Sequence, residues 1–351
     1  MAICGVYSPA KSLIQVKVIL VAGNGLSLSM LSDCSESGID LLNLFKCGAD
    51  VPWPADGTPG FLSYEHCPNL WALGARPNST KEEAYQVIEK IITAVNACCM
   101  ADPATLDDGI YIRAYKELVS YLRYLFVYYD DILSSDDFFK KALDSSVINL
   151  IKDIEESPKV DSLDIVTFNY DAMLERCLHE AEIKFSIPRL GEDKAAKLAL
   201  HKPHGSITFC GHTSVDSSAF EINYSAQFTE GGLEDICIRY DSLSENYPMV
   251  GMLPPAGESE RYKHRWIREV WDSAIEATSS LDDHDLVILY GLSYWHVDRK
   301  EIDYLLANIS RQAKVISVNP FPNEQFDAVC CSLFRSYHSY SHPGSLRKVF
   351  K

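Results

Sequence analysis

Five small groups of residues carry side chains able to do chemistry together: Gly23-Asn24-Gly25 with Ser27, Asn169 with Asp171, His204-Gly205, Gly291 with Ser293, and Asn319. Four of them come directly after a stretch that reads as a buried strand, and His204-Gly205 follows a further extended segment. The types are complementary. Glycines at the head of a helix bring backbone N–H groups close to an anion. An asparagine amide fixes a polar group without adding charge, and a histidine changes protonation near neutral pH. Singly, each has a plainer reading. Gly-x-Gly is often a tight turn, and no third glycine completes a dinucleotide fingerprint. Asn169 and Asp171 suit a helix cap, His204 a hydrogen-bonded core, and Asn319-Pro320 a turn. Their recurrence at strand ends carries more weight, because in an open parallel sheet those ends face one crevice.

The elements that must position these residues follow from periodicity. Gln15–Ala22 is short, β-branched and almost wholly apolar, which predicts a strand covered on both faces. A helix follows over Leu26–Leu31, then irregular structure from Gly48 to Pro77. Ser79-Thr-Lys-Glu82 reads as a capping box ahead of Ala84, Val87, Ile88, Ile91, Ile92 and Val95 at helical spacing. Ile112 to Phe126 and Phe138 to Ile154 predict two more helices. The stretch 61–159 is thus expected to be a helical insertion within one domain spanning 1–351. The α/β rhythm resumes with strands at Leu163–Phe168, Glu182–Ile187 and Leu198–His201 and a helix over Ala172–Glu182. Residues 206–260 predict only short extended pieces. A helix over Arg261–Ser279, a strand at Asp285–Tyr290, a helix over Arg299–Ile309 and a last clear strand at Lys314–Val318 complete the chain. The fold class expected is α/β, a Rossmann-like doubly wound parallel sheet.

Composition narrows the function. Among 351 residues, 49 acids against 32 bases leave a formal charge of −17, which repels phosphate backbones and argues against nucleic-acid binding. No apolar run reaches the ~18 residues of a membrane span. Eleven cysteines without any C-x2-C read as reduced thiols of a cytoplasmic protein. His201 and His204 flank Pro203 with no carboxylate or thiol nearby in sequence, so no metal is expected. No P-loop run occurs. Asp282, Asp283 and Asp285 read as a solvated strand entry.

In order and type the strand-end groups resemble the sirtuin superfamily. Gly23-Asn-Gly-Leu-Ser27 is similar to its opening Gly-Ala-Gly-x-Ser, Thr167-Phe-Asn169-Tyr-Asp171 is its complete Thr-x-Asn-x-Asp, and Lys202-Pro-His204-Gly205-Ser206 carries its His-Gly pair. Gly291-Leu-Ser293 and Asn319 are similar to its late nucleotide contacts. Two features of the protein-deacylating members are missing. Only Cys210 and Cys237 follow the His-Gly pair before residue 330, where a structural zinc needs four thiolates. Ser37-Gly-Ile-Asp40 is at most a relic of the Gly-Ile-Pro-Asp-Phe-Arg stretch. With Pro254-Pro255, Gly291–Asp298 and Val318-Asn-Pro320, the chain looks more like the bacterial sirtuin-like branch whose members destroy NAD in anti-phage defence.

That resemblance implies hydrolysis of NAD to nicotinamide and ADP-ribose, with Asn169 and His204 catalytic. Gly23, Asn24, Gly25, Ser27, Asp171, Gly291, Ser293 and Asn319 would bind the nucleotide, with NAD as substrate and no metal. It also implies gating by self-assembly into a homo-oligomer, a HerA-like ATPase or a short Argonaute. Two other readings use the same pocket: an NAD-dependent deacylase or ADP-ribosyltransferase, and a non-catalytic NAD or ADP-ribose sensor.

Overall fold

The computed structural model describes residues 15–36, 38–100, 109–191, 196–224, 231–253 and 265–346. Ser37, Pro254-Pro255 and the first four residues of the helix expected from Arg261 lie outside them. At the centre runs β1 (Val16–Ala22), whose last five residues are wholly buried. Both its faces are covered, so its sequence is continuously apolar, not alternating. It pairs in parallel with β2 (Val160–Thr167) on one side and β8 (Leu286–Tyr290) on the other. Beyond β2 lie β4 (Leu198–His201) and β3 (Phe185–Ser186); beyond β8 lie β9 (Lys314–Val318) and β10 (Ser336–Tyr340). All seven strands are parallel, in the order β10-β9-β8-β1-β2-β4-β3, and helices flank them. This is the α/β, Rossmann-like doubly wound sheet that the rhythm of the sequence predicts. The chain moves outward from β1 on one side and returns through β8 on the other. The direction of strand order therefore reverses between β1 and β8, which is where such sheets open a crevice.

The long connection from β1 to β2 holds α1 (Gly25–Asp33), α2 (Pro68–Ala72), α3 (Lys81–Met100), α4 (Ile110–Ser135), α5 (Phe138–Lys141) and α6 (Ser146–Glu155). Helices α2 and α3 pack on α4, and α6 packs on α1 and β2. Further along come α7 (Met173–Glu180), α8 (described over Arg265–Ser279), α9 (Arg299–Ala307) and α10 (Glu324–Leu333). A second, antiparallel sheet has the order β6-β5-β7, from β5 (Gly205–Gly211), β6 (Ile236–Ile238) and β7 (Val250–Met252).

Several local expectations shift. The capping box of α3 closes one residue later than expected, with Glu83 N–H donating to Thr80 Oγ1 and Thr80 N–H donating to the Glu83 carboxylate. The amphipathic stretch Phe138–Ile154 is not one helix. The Ser145 hydroxyl accepts the Ile148 N–H and starts α6 afresh after a 3-10 turn over Ala142–Asp144. Glu182, in the left-handed region at φ 56°, closes the turn after α7 and leaves only Phe185–Ser186 of the strand expected over 182–187. Asp285 is not solvated: it is buried and accepts the N–H groups of Lys17 and Asp282. The nine cysteines whose side chains are described are free thiols, and Cys210 stands opposite Cys237 across β5 and β6. Among the described residues no helix is long and apolar enough to cross a membrane.

Candidate functional site

A cleft of about 1160 Å³ opens over the carboxyl ends of β1, β2, β8 and β9. Its floor is the place where two chain turns touch backbone to backbone. Gly23 N–H donates to Tyr290 O at 3.0 Å, Gly25 N–H to Gly291 O at 3.1 Å, and Gly291 N–H to Val318 O at 2.9 Å. A Cβ at Gly25 would stand 2.5 Å from Gly291 Cα, and Gly291 itself has φ +59°. Both glycines are therefore required by contact, whatever their part in binding. Asn24 begins α1 without a side-chain cap, and its amide NH2 donates to Leu41 O. The first turn of α1 thus meets the cleft without a capping side chain, with its Gly25 and Leu26 N–H groups bonded to Gly291 O and Gly23 O.

On the β2 side, three polar residues form one chain. The Asn169 amide donates to Ser27 Oγ at 2.9 Å, and that hydroxyl donates to Asp171 Oδ2 at 2.9 Å. Asp171 Oδ1 accepts the Met173 N–H. Ser27, expected as a nucleotide contact, is wholly buried behind the cleft wall, so its role in this arrangement is to orient Asn169. Asp171 reaches the cleft but spends both oxygens on the protein, which makes it chiefly a brace for the loop. Beneath both loops Lys202 is fully buried. Its ammonium donates to Asp171 O at 2.7 Å, Glu175 Oε1 at 2.5 Å and Ser206 Oγ at 3.0 Å, tying the β2–α7 loop to the His-Gly turn. Burial pushes the Glu175 carboxyl up, against the pull of Lys202.

His204 lines the cleft with its ring packed between Phe168, edge-on at 5.0 Å, and Tyr170, nearly parallel at 5.8 Å. Its Nε2 lies 2.8 Å from Glu301 Oε2, and the two side chains are 2% and 3% exposed. Gly205 has φ +73°, and a Cβ there would stand 1.8 Å from Gly251 O, so the turn that presents His204 admits no side chain. His201 is separate: its Nε2 meets Asp164, a carboxylate contributed by the neighbouring strand β2, and its Nδ1 meets Ser273. Ser293 is exposed on the rim. Asn319 also lines the cleft, with its amide donating to Leu292 O and its Oδ1 accepting the Phe321 N–H, which locks the ends of β8 and β9 together.

Nine of the ten expected residues thus line one cleft, and the tenth, Ser27, orients one of them. Glu301, Tyr170, Lys202 and Glu175 were not expected. Only the alternation inside Thr167-Phe-Asn-Tyr-Asp171 hints at Tyr170; the other three are charged residues that sequence alone assigns to the surface. Tyr85 of α3 meets Trp295 edge-on at 5.4 Å, so the long β1–β2 connection reaches over the cleft to the loop after β8. None of the described lining residues is Lys or Arg. Among the described residues, His204, Asp298 and Glu301 offer donor atoms within 4.8 Å of one another, the one group of three close enough to share a metal ion. No family model matches the chain, and no curated protein matches it either.

Proposed function

We propose that the protein hydrolyses NAD to nicotinamide and ADP-ribose, as a gated NAD-depleting effector of the sirtuin-like kind. The observation that carries this reading is the meeting of Asn169 and His204 in one cleft whose floor is the glycine contact between β1 and β8. A dinucleotide laid across that reversal point would place its pyrophosphate at the first turn of α1. Its nicotinamide ribose would lie toward Asn169 and His204. The glycosidic C–N bond breaks with its electron pair leaving on nicotinamide, and positive charge develops on the ribose ring. The Asn169 amide, one N–H already committed to Ser27, holds water or a ribose hydroxyl beside that carbon. Water adds, and His204 accepts the proton it releases, directly or through the ribose hydroxyls. The Asp171 and Asp298 carboxylates along the wall suit a transition state that is cationic at the sugar.

The test is purified protein with NAD, following nicotinamide release with and without an acetyl-lysine peptide. Release that needs no peptide is the expected result. Asn169→Ala and His204→Ala should each lower turnover by at least about 10²-fold while the protein stays folded. A folded His204→Ala variant that works at the parental rate overturns the mechanism. NAD binding without release, in every assembly state and with a HerA-like ATPase or short Argonaute partner present, leaves a sensor instead.

A further inference from the structure

The His204–Glu301 pair decides which nitrogen of the imidazole does the work. Glu301 sits in the first turn of α9, far from His204 in sequence, and both side chains are shut away from water. An ionised carboxylate only accepts hydrogen bonds, so at 2.8 Å it calls for a proton on Nε2. That leaves Nδ1 as the acceptor, and the atom standing opposite it, at 3.4 Å, is the Tyr170 hydroxyl oxygen. Tyr170 is half-buried and lines the cleft, whereas the His204 ring is almost entirely covered. The titratable groups facing the ring include Glu301 from α9, Asp298 just before that helix and Tyr170 from the loop after β2.

The same atoms invite a metal reading, and distance separates the two. Ligands at ~2.1 Å from a tetrahedral ion stand about 3.4 Å from each other. The 2.8 Å between Nε2 and Oε2 is a hydrogen-bond separation, which fits one shared proton better than a shared ion.

We propose that Glu301 is a positioning residue that fixes His204 as the Nε2–H tautomer, and that Nδ1 receives the catalytic proton through the Tyr170 hydroxyl. The inference rests on the NAD-hydrolysis reading for its catalytic part. As the new C–O bond forms, the attacking water gives its proton to the Tyr170 oxygen while the tyrosine's own proton passes to Nδ1. Tyr170 is left unchanged and His204 becomes an imidazolium held against the Glu301 carboxylate. The proton is later lost to solvent. The contact between Tyr170 and Nδ1 is long, as catalytic hydrogen bonds often are before substrate closes the site.

The experiment uses the full chain labelled with 15N-histidine, in the parent and in Glu301→Gln, Glu301→Asp and Tyr170→Phe, with thermal melts to check folding. Nitrogen shifts of the parent should show His204 protonated at Nε2. In Glu301→Gln that preference should weaken, since a neutral amide can also donate to the ring. With NAD, Glu301→Gln should lose at least about tenfold in kcat, with little change in KM. Glu301→Asp should recover part of both. Tyr170→Phe should lose at least about tenfold in kcat while the His204 tautomer stays as in the parent.

An Nδ1–H tautomer in the parent overturns the proposal, as does an unchanged tautomer balance in Glu301→Gln. Full turnover in Glu301→Gln or Tyr170→Phe beside an inactive His204→Ala overturns it while leaving NAD hydrolysis standing. Activity lost in EDTA and restored by Zn²⁺ or Mn²⁺ overturns it in favour of a metal. A parent that never hydrolyses NAD defeats the functional reading, and the nitrogen shifts then decide the Glu301–His204 tautomer on their own.

Discussion

Gly25→Ala tests the floor of the cleft, and two opposing effects fix its sign. Gly25 is the first residue of α1 and its φ is not in the left-handed region. In open space an alanine there would stabilise the protein by roughly 0.4–1 kcal/mol, because it restricts the unfolded chain. The space is not open. The new Cβ would stand 2.5 Å from Gly291 Cα and 2.8 Å from Gly291 O, both backbone atoms with no rotamer to swing aside. Carbon atoms in contact rest at ~3.5–4.0 Å, so the two turns must part by about 1 Å. That separation weakens the Gly25 N–H bond to Gly291 O, at about 1 kcal/mol, and adds overpacking strain of about 1–3 kcal/mol. The net expectation is a loss of about 1–3 kcal/mol. With an unfolding entropy of ~2.1 cal/mol/K per residue, a chain of this size should melt roughly 1–4 °C lower. Calorimetry reads the melt, and titration of NAD should show weaker binding as the turn of α1 moves. Gly344→Ala is the matched control, since it also lines the cleft but a Cβ there meets nothing within 4 Å. A Gly25→Ala protein that melts at or above the parent would mean that the two turns do not meet.

Two other perturbations probe what lies behind that floor. Lys202→Met strands a carboxylate that is wholly buried, and breaking such a pair typically costs about 3–5 kcal/mol, whereas Lys202→Met with Glu175→Leu should recover much of the loss in denaturant unfolding. Burial holds the Glu175 carboxyl up, more so without Lys202; a folded-state pKa above the unfolded value adds stability at low pH that is lost as pH rises through it, so the single variant's deficit should shrink on acidification, and a deficit growing toward low pH would refute this. Cys331 is exposed and should alkylate readily in the native protein, while the buried thiols of Cys210, pushed up to about 11, and Cys330, pushed up to about 12, should stay unmodified until unfolding; mass spectrometry showing Cys210 labelled as fast as Cys331 would contradict the packing of β5.

The cleft was legible in sequence because its residues follow strands that advertise themselves. β1, β8 and β9 and the last residues of β2 are rich in β-branched apolar side chains, and the glycine or polar residues just past each strand are the ones that reach the crevice. What stayed hidden is chemistry made by pairing across the fold. Lys202 and Glu175 are charged residues of the kind sequence reading leaves in solvent, and only the folded chain shows each neutralising the other in the interior. Glu301 occupies the first turn of α9, where an acid is expected for the helix dipole alone. β10 is Ser-Tyr-His-Ser-Tyr, too polar to read as a strand, yet an edge position asks for no apolar alternation on its open side. The split of Phe138–Ile154 turns on one serine hydroxyl, Ser145, whose cap competes with a helical pattern that is otherwise unbroken.

Charge gives the last link between the chain and its proposed substrate. A protein with a formal charge of −17 and a cleft whose described lining holds no Lys or Arg has no cationic clamp there for phosphate. The groups present are of another kind: the positive end of α1, whose Gly25 and Leu26 N–H groups are already bonded to Gly291 O and Gly23 O, amides on Asn169 and Asn319, and the carboxylates of Asp33, Asp171 and Asp298. Such a lining handicaps a polyanion, whose binding depends on many Lys and Arg contacts. It is far less hostile to a ligand that is anionic at one end and cationic at the other. In NAD the pyrophosphate is negative and the nicotinamide ring positive, and on the proposed reading the first lies at α1 and the second toward Asn169 and His204. When the glycosidic bond breaks, positive charge leaves the nicotinamide nitrogen and spreads over the ribose carbon and oxygen. It does not leave the neighbourhood of the carboxylates. On the proposed reading, Asp171 and Asp298, which would oppose phosphate capture, stand where the reaction keeps its positive charge throughout, and His204, beside Glu301, takes the one proton released.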